Sequence, residues 1–293
     1  MVNIFNPLRS YWKPLVAVVF WGASFIATKQ ALEELKPLVI ILIRQLLGIG
    51  LLASIAVQQK RSFAVNIKDH KWIVVLSCIA SFHLWIQVTG LQFTSASNTG
   101  WIIGITPVFM VLLAYVFFKE KISAIQTVGI MIAFGGLLLL VSKGDFSSIG
   151  IISNKGDLLV LLSSFTWAVY SLIGKKITIN YPPIMTILFL FIMMSIIIGP
   201  FTINRENFSG IINLTLTGWI SVLFLGIFCS GIAYVLWAQA LSEMPATKVG
   251  AFLYLEPFVT VFAAWVILTE QLSLLTFVSG LIILGGVILV NRK

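Results

Sequence analysis

Long apolar runs, each ended by a charge or a proline, constrain this chain more than any other feature. They fall at about residues 14–32, 38–57, 71–90, 96–118, 122–141, 156–174, 184–203, 217–240, 246–268 and 273–290. A helix that crosses a hydrocarbon core about 30 Å thick needs about 20 apolar residues, so ten crossings use up roughly 200 of the 293 residues. What is left is short connections, the longest being Gln58–His70 and Ser142–Lys155. Composition agrees: 59% of residues are hydrophobic and 10% charged, against about 45–50% and about 25% in soluble domains. There is too little charge to cover a surface facing water. The expected fold is an all-α membrane protein of ten transmembrane helices, whose first run is a retained helix and not a cleaved leader.

The net charge of +9 does not indicate nucleic acid, because Lys and Arg occur singly or in pairs between apolar runs and form no basic face. It reports topology instead. Cytoplasmic connections carry the excess of positive charge. With the N-terminus inside, thirteen Lys and Arg fall on the inner side and five on the outer, with Arg44 left within the second run. This predicts ten spans with both termini cytoplasmic, multi-pass in the cell's inner membrane. Cys78 and Cys229 both lie inside apolar runs, where neither a disulfide framework nor a zinc knuckle can be read.

Sliding the chain over itself by 150 residues pairs Ala96 with Ala246, Gly100 with Gly250, Pro107 with Pro257, Glu120 with Glu270, and Gly135–Gly136 with Gly285–Gly286. From Ala96 to Leu140 there are 13 identities in 45 positions. Apolar composition alone does not align Gly, Pro and Glu in this way, so the chain reads as a duplication. At an offset of 146, Trp21 and Lys29 also match Trp167 and Lys175. The expected domains are 1–141 and 156–293, joined by 142–155. Five helices per half is an odd number, so the second half enters from the opposite side and the repeats are inverted. In such carriers the substrate site lies near the midplane at the repeat interface, and the pseudo-twofold brings inward-open and outward-open states close in energy.

Three segments carry a family resemblance: WGASFIATK from Trp21, ITPVFMVLLAYVFFKEKIS across the fourth run, and LEPFVTVFAAWVILTEQLS across the ninth. The last two are each followed by a helix with a double glycine. Over essentially its whole length the chain resembles the EamA-type branch of the drug/metabolite transporter superfamily. The resemblance implies secondary transport, often export of amino acids or other small metabolites. It also implies a central cavity surrounded by helices 1, 3, 4, 6, 8 and 9, with 2, 5, 7 and 10 outside. One departure is Thr106, which stands where the second half has Glu256.

Glu256 lies ten residues into the ninth run, about 15 Å along a helix and so near the midplane. An ionisable group at that depth normally faces a cavity or a partner. It can bind an amine or take a proton, or, if protonated, satisfy a carbonyl freed by the adjacent Pro257. Lys248 near the start of the same run can draw a carboxylate to the cavity mouth or snorkel. His83 and Gln87, four apart on the third run, share a helix face and can line the cavity or relay protons; a packed histidine is the competing reading. Trp21, Trp85, Trp101, Trp167, Tyr170, Tyr234, Trp237 and Tyr254 fall on runs that the resemblance places around the cavity. Aromatic walls suit apolar or cationic ligands, although core packing explains any one of them. Pro107 and Pro257, each seven residues after a repeated glycine, are the paired interruptions that mark a hinge or binding region. Arg44 is read as an ion-paired or snorkelling group.

The expected substrate-binding set is therefore Trp21, His83, Gln87, Trp101, Trp167, Tyr234, Trp237, Lys248, Tyr254 and Glu256, with Pro107 and Pro257 as hinges. No Walker A loop, zinc-hydrolase motif or channel filter is present in the sequence. The chain is thus expected to be a transporter and not an enzyme, without metal or cofactor. Its expected partners are a small-molecule substrate and the lipid bilayer, with a coupling proton or exchange, and a homodimer as one option. Rival readings are a multidrug or hydrophobic-cation exporter of the same fold and, in another class, a membrane-embedded enzyme or lipid-handling protein.

Overall fold

A computed structural model describes residues 11–119, 121–142, 144, 154–176, 179–243, 249 and 251–290, and all regular structure among them is helical. In chain order these are α1 (Trp12–Ala31), α2 (Pro37–Gln58), α3 (Ile67–Leu91), α4 (Ala96–Ile103), α5 (Thr106–Phe118), α6 (Ala124–Val141) and α7 (Lys155–Lys176). Then follow α8 (Pro183–Thr202), α9 (Arg205–Ile212) and α10 (Leu216–Leu223), which continues through a π-helical stretch, Phe224–Ile232, into α11 (Ala233–Glu243). A 3₁₀ turn, Ala251–Leu255, leads into α12 (Glu256–Leu268), and α13 (Leu274–Val290) closes the described chain.

Among the described residues seven helical spans are long and apolar enough to cross a membrane, and three shorter apolar helices cover Ala124–Leu140, Phe252–Leu268 and Leu274–Val290. Three runs differ from the uninterrupted helices expected of them, the ninth because a 3₁₀ turn, Ala251–Leu255, precedes α12. The fourth is broken between α4 and α5, where Gly104 and Ile105 precede Pro107, which supplies no N–H to continue the ladder. The eighth changes to i→i+5 bonding over nine residues. The sequence reading also did not anticipate α9, a short helix in the connection before α10.

Helix ends follow local chemistry. Ser95, Asn204 and Thr215 each accept a backbone N–H of the first turn they precede, and Ser123 closes a capping box with Gln126. Proline opens α2 and α8, where its missing N–H costs nothing. Lys119 (φ 55°) and Thr269 (φ 52°) are both left-handed, 150 residues apart, and Ser123 and Ser273 cap the helices that follow them at the same spacing.

The chain divides into two compact units, Met1–Cys78 with Ile179–Val259, and Ile79–Thr178 with Thr260–Lys293. In the first, α1 packs on α10, the π-helical stretch and α11, while α2 packs on α8 and the π-helical stretch. Glycines allow the approach: a Cβ on Gly226 would lie 2.5 Å from that of Leu47, and one on Gly231 2.7 Å from Leu51 Cδ2. In the second unit α6 lies along α13, and a Cβ on Gly286 would stand 2.4 Å from the Ala133 nitrogen. Lipid tails are as apolar as leucine, so contact of this kind, not hydrophobic expulsion from water, holds such helices together. Gly136 also faces this seam, against Ile283, whereas Gly135 and Gly285 face open space.

Candidate functional site

In the first unit the site grows from the π-helical stretch. An i→i+5 turn takes backbone carbonyls out of α register, and the carbonyl of Cys229 accepts the indole N–H of Trp21 at 3.1 Å. Trp21, 9% exposed, meets Tyr234 edge-on at 5.4 Å and Trp237 at 5.2 Å. Tyr234 in turn stands edge-on to Phe191 at 5.3 Å. Next to Trp21, Gly22 lets α1 touch the start of α12: a Cβ there would lie 2.8 Å from Val259 and 3.0 Å from the Glu256 carbonyl oxygen. Glu256, 8% exposed, is the first residue of α12 and is followed by the buried Pro257. Half-buried Tyr254 lies in the 3₁₀ turn just before it. The helix therefore changes form at the carboxyl itself, where proline has no N–H to give.

Arg44 on α2 belongs to the same unit. It is 5% exposed, and its Nε donates to Ser230 Oγ at 2.9 Å, again on the π-helical stretch. This differs from both roles expected of it, an ion pair or a snorkelling group. Among the described residues the ion pairs are Lys13–Glu243 and Lys36–Glu206, and neither involves Arg44. A lone cation in the middle of a membrane helix costs about 2.5–3.5 kcal/mol on insertion scales.

In the second unit His83, 5% exposed, places Nδ1 3.0 Å from the Ser163 carbonyl and 3.3 Å from Thr166 Oγ1. A carbonyl only accepts, so Nδ1 carries the proton. The ring also lies 5.2 Å from Trp167, which stacks on Tyr170 at 5.1 Å. Gln87, one turn further along α3, is half-buried. Trp101 is 1% exposed and packs on the face of α13, where a Cβ on Gly280 would fall 2.2 Å from its ring. Pro107 lies in the first turn of α5, directly after the break. Thr106, the counterpart of Glu256, donates to the Ile103 carbonyl at 2.7 Å and so bonds the end of its own broken helix. Trp85 faces outward.

The structure thus gathers Trp21, Tyr234, Trp237, Tyr254 and Glu256 in one unit and His83, Gln87 and Trp167 in the other. Trp101 is held in a helix-packing contact, and Lys248 lies outside the described residues. The sequence reading missed Ser230 and the π-helical stretch and did not give Arg44 a site role.

The EamA-like transporter family model matches residues 10–142 and again 154–292. A protein of Archaeoglobus fulgidus named "Uncharacterized transporter" is 30% identical over 95% of this chain and 96% of its own length. The Bacillus subtilis "Uncharacterized transporter YoaV" is 22% identical over 92% of each chain. A solved crystal structure aligns over 96% of both chains with a TM-score of 0.69 at 15% identity, a likeness of fold. With its apolar helices, the chain is a multi-pass membrane transporter, and it belongs to the EamA-like transporter family.

Proposed function

We propose that the chain is a secondary active transporter of the cell's inner membrane that exports small metabolites, most of all amino acids or related amphipathic compounds, by alternating access through a central cavity. The observation that carries this reading is the buried Glu256 carboxyl at a change of helix type, in the same unit as the Trp21–Tyr234–Trp237 cluster. A carboxyl suits an amine or a proton, aromatic faces suit an apolar body, and a local break in a helix suits movement. The other unit holds its own set of polar and aromatic groups, His83, Gln87 and Trp167. Ten spans in two inverted repeats with both termini cytoplasmic are supported by the thirteen-to-five charge count and the 150-residue recurrence of sequence. The aromatic cluster in the unit of a buried carboxyl also favours a second reading, an exporter of hydrophobic cations.

The test is transport in sealed proteoliposomes against a panel of amino acids and hydrophobic cations, with and without an imposed pH gradient. Amino-acid counterflow by the wild type is expected. Glu256→Gln should lose gradient-driven uptake at least tenfold while sparing exchange. Full gradient-driven uptake by Glu256→Gln rejects the coupling role, transport of cations alone selects the second reading, and product formation without vectorial movement rejects a transporter.

A further inference from the structure

We propose that Arg44, held by Ser230, is an anion subsite that takes the carboxylate of the transported solute. The inference rests on the transporter reading above and narrows its substrate class to carboxylates.

A guanidinium carries five N–H donors in a rigid fork. Ser230 uses Nε, and neither ion pair among the described residues engages the rest. Arg44 is the eighth residue of α2, about 10 Å from that helix's first residue. The resemblance places α2 outside the cavity, but the bond to Ser230 carries the guanidinium onto the π-helical stretch of the eighth run, one of those placed around it, and not along α2 to its end, so snorkelling does not account for it. The four remaining donors of this planar cation match the two oxygens of a carboxylate.

The same unit supplies the other half of a zwitterion's needs. Tyr234, whose ring packs with Trp21, and Glu256 lie in the same unit as Arg44, and Gly22, next to Trp21, closes on the Glu256 backbone. A solute with an acid at one end, an amine at the other and an apolar body meets a partner for each. A hydrophobic cation without a carboxylate leaves Arg44 unmatched and repelling.

The test compares three forms of each amino acid that the wild-type protein transports in proteoliposomes: the free acid, its amide and its decarboxylated amine, each as a competitor of counterflow. The free acid should compete at least tenfold better than the amide, as expected for a hydrogen-bonded charge pair. Arg44→Gln should collapse that preference by weakening competition by the free acid, and Arg44→Lys should restore part of it. A purely structural arginine would alter yield or rate without changing the ratio of acid to amide. Retention of the full preference by Arg44→Gln overturns the proposal. Equal competition by acid and amide in the wild type overturns it without any variant, which covers the case of a variant that does not fold. If no amino acid is transported, the amino-acid reading fails and this proposal with it; if amino acids are transported without discrimination, only the subsite fails.

Discussion

At the scale of single residues, placement of charge in this chain follows the few polar partners that an apolar environment leaves. Glu34, in the connection after α1, accepts from the backbone N–H of Thr215 at 2.8 Å and from its hydroxyl at 2.6 Å. These bonds hold its carboxyl below the ordinary value of 4.5, the Thr215 side chain contributing most. A carboxyl depressed in the folded state contributes stability above its unfolded pKa and loses it as pH falls through the folded one. The melting temperature of the wild type should therefore exceed that of Glu34→Gln at neutral pH and converge on it as pH drops below 4.5. A gap of constant size across that range would contradict the assignment. Residue identity was partly legible: Glu256 was singled out because a carboxyl in an apolar run is costly wherever it lies. The partner of Arg44 was not, since a charge on one helix says nothing of the serine that a π-helical turn on another presents to it. Trp101 shows the same gap, because its seat depends on Gly280, far away in sequence.

At the scale of elements, helices were legible from apolar run length, and their seams were not. Glu270 is the counterpart of Glu120 at the 150-residue offset. In the structure it caps α4, accepting from Ala96 N at 2.9 Å and Ser97 N at 3.1 Å, which is the N-terminus of a helix far back in the chain. An anion there meets the positive end of the helix dipole. The double glycines also divide by facing: Gly136 and Gly286 enter the α6–α13 seam while Gly135 and Gly285 do not. Sequence spacing gives adjacent residues the same promise, but successive helix positions are turned about 100° apart, so only one of each pair can face the partner. Gly286→Ala should thus destabilise the protein by about 1–3 kcal/mol through overpacking, whereas Gly285→Ala should be near neutral or slightly stabilising. Chemical or thermal unfolding in detergent distinguishes them, and equal effects would contradict the seam. The π-helical stretch had no reliable signature, because changing i→i+4 to i→i+5 alters neither composition nor run length.

At the scale of the whole molecule, the proposed alternating-access carrier would open the groups around Glu256 to each side of the membrane in turn. The most direct measurement uses a variant without native cysteines, Cys78→Ser with Cys229→Ser, carrying Tyr234→Cys, in sealed vesicles of both orientations. Labelling by a membrane-impermeant thiol reagent is followed from each face, with and without a transported amino acid. The account predicts labelling from both faces, slowed at least severalfold from each by substrate. Labelling from one face only, or labelling indifferent to every transported solute, would contradict it.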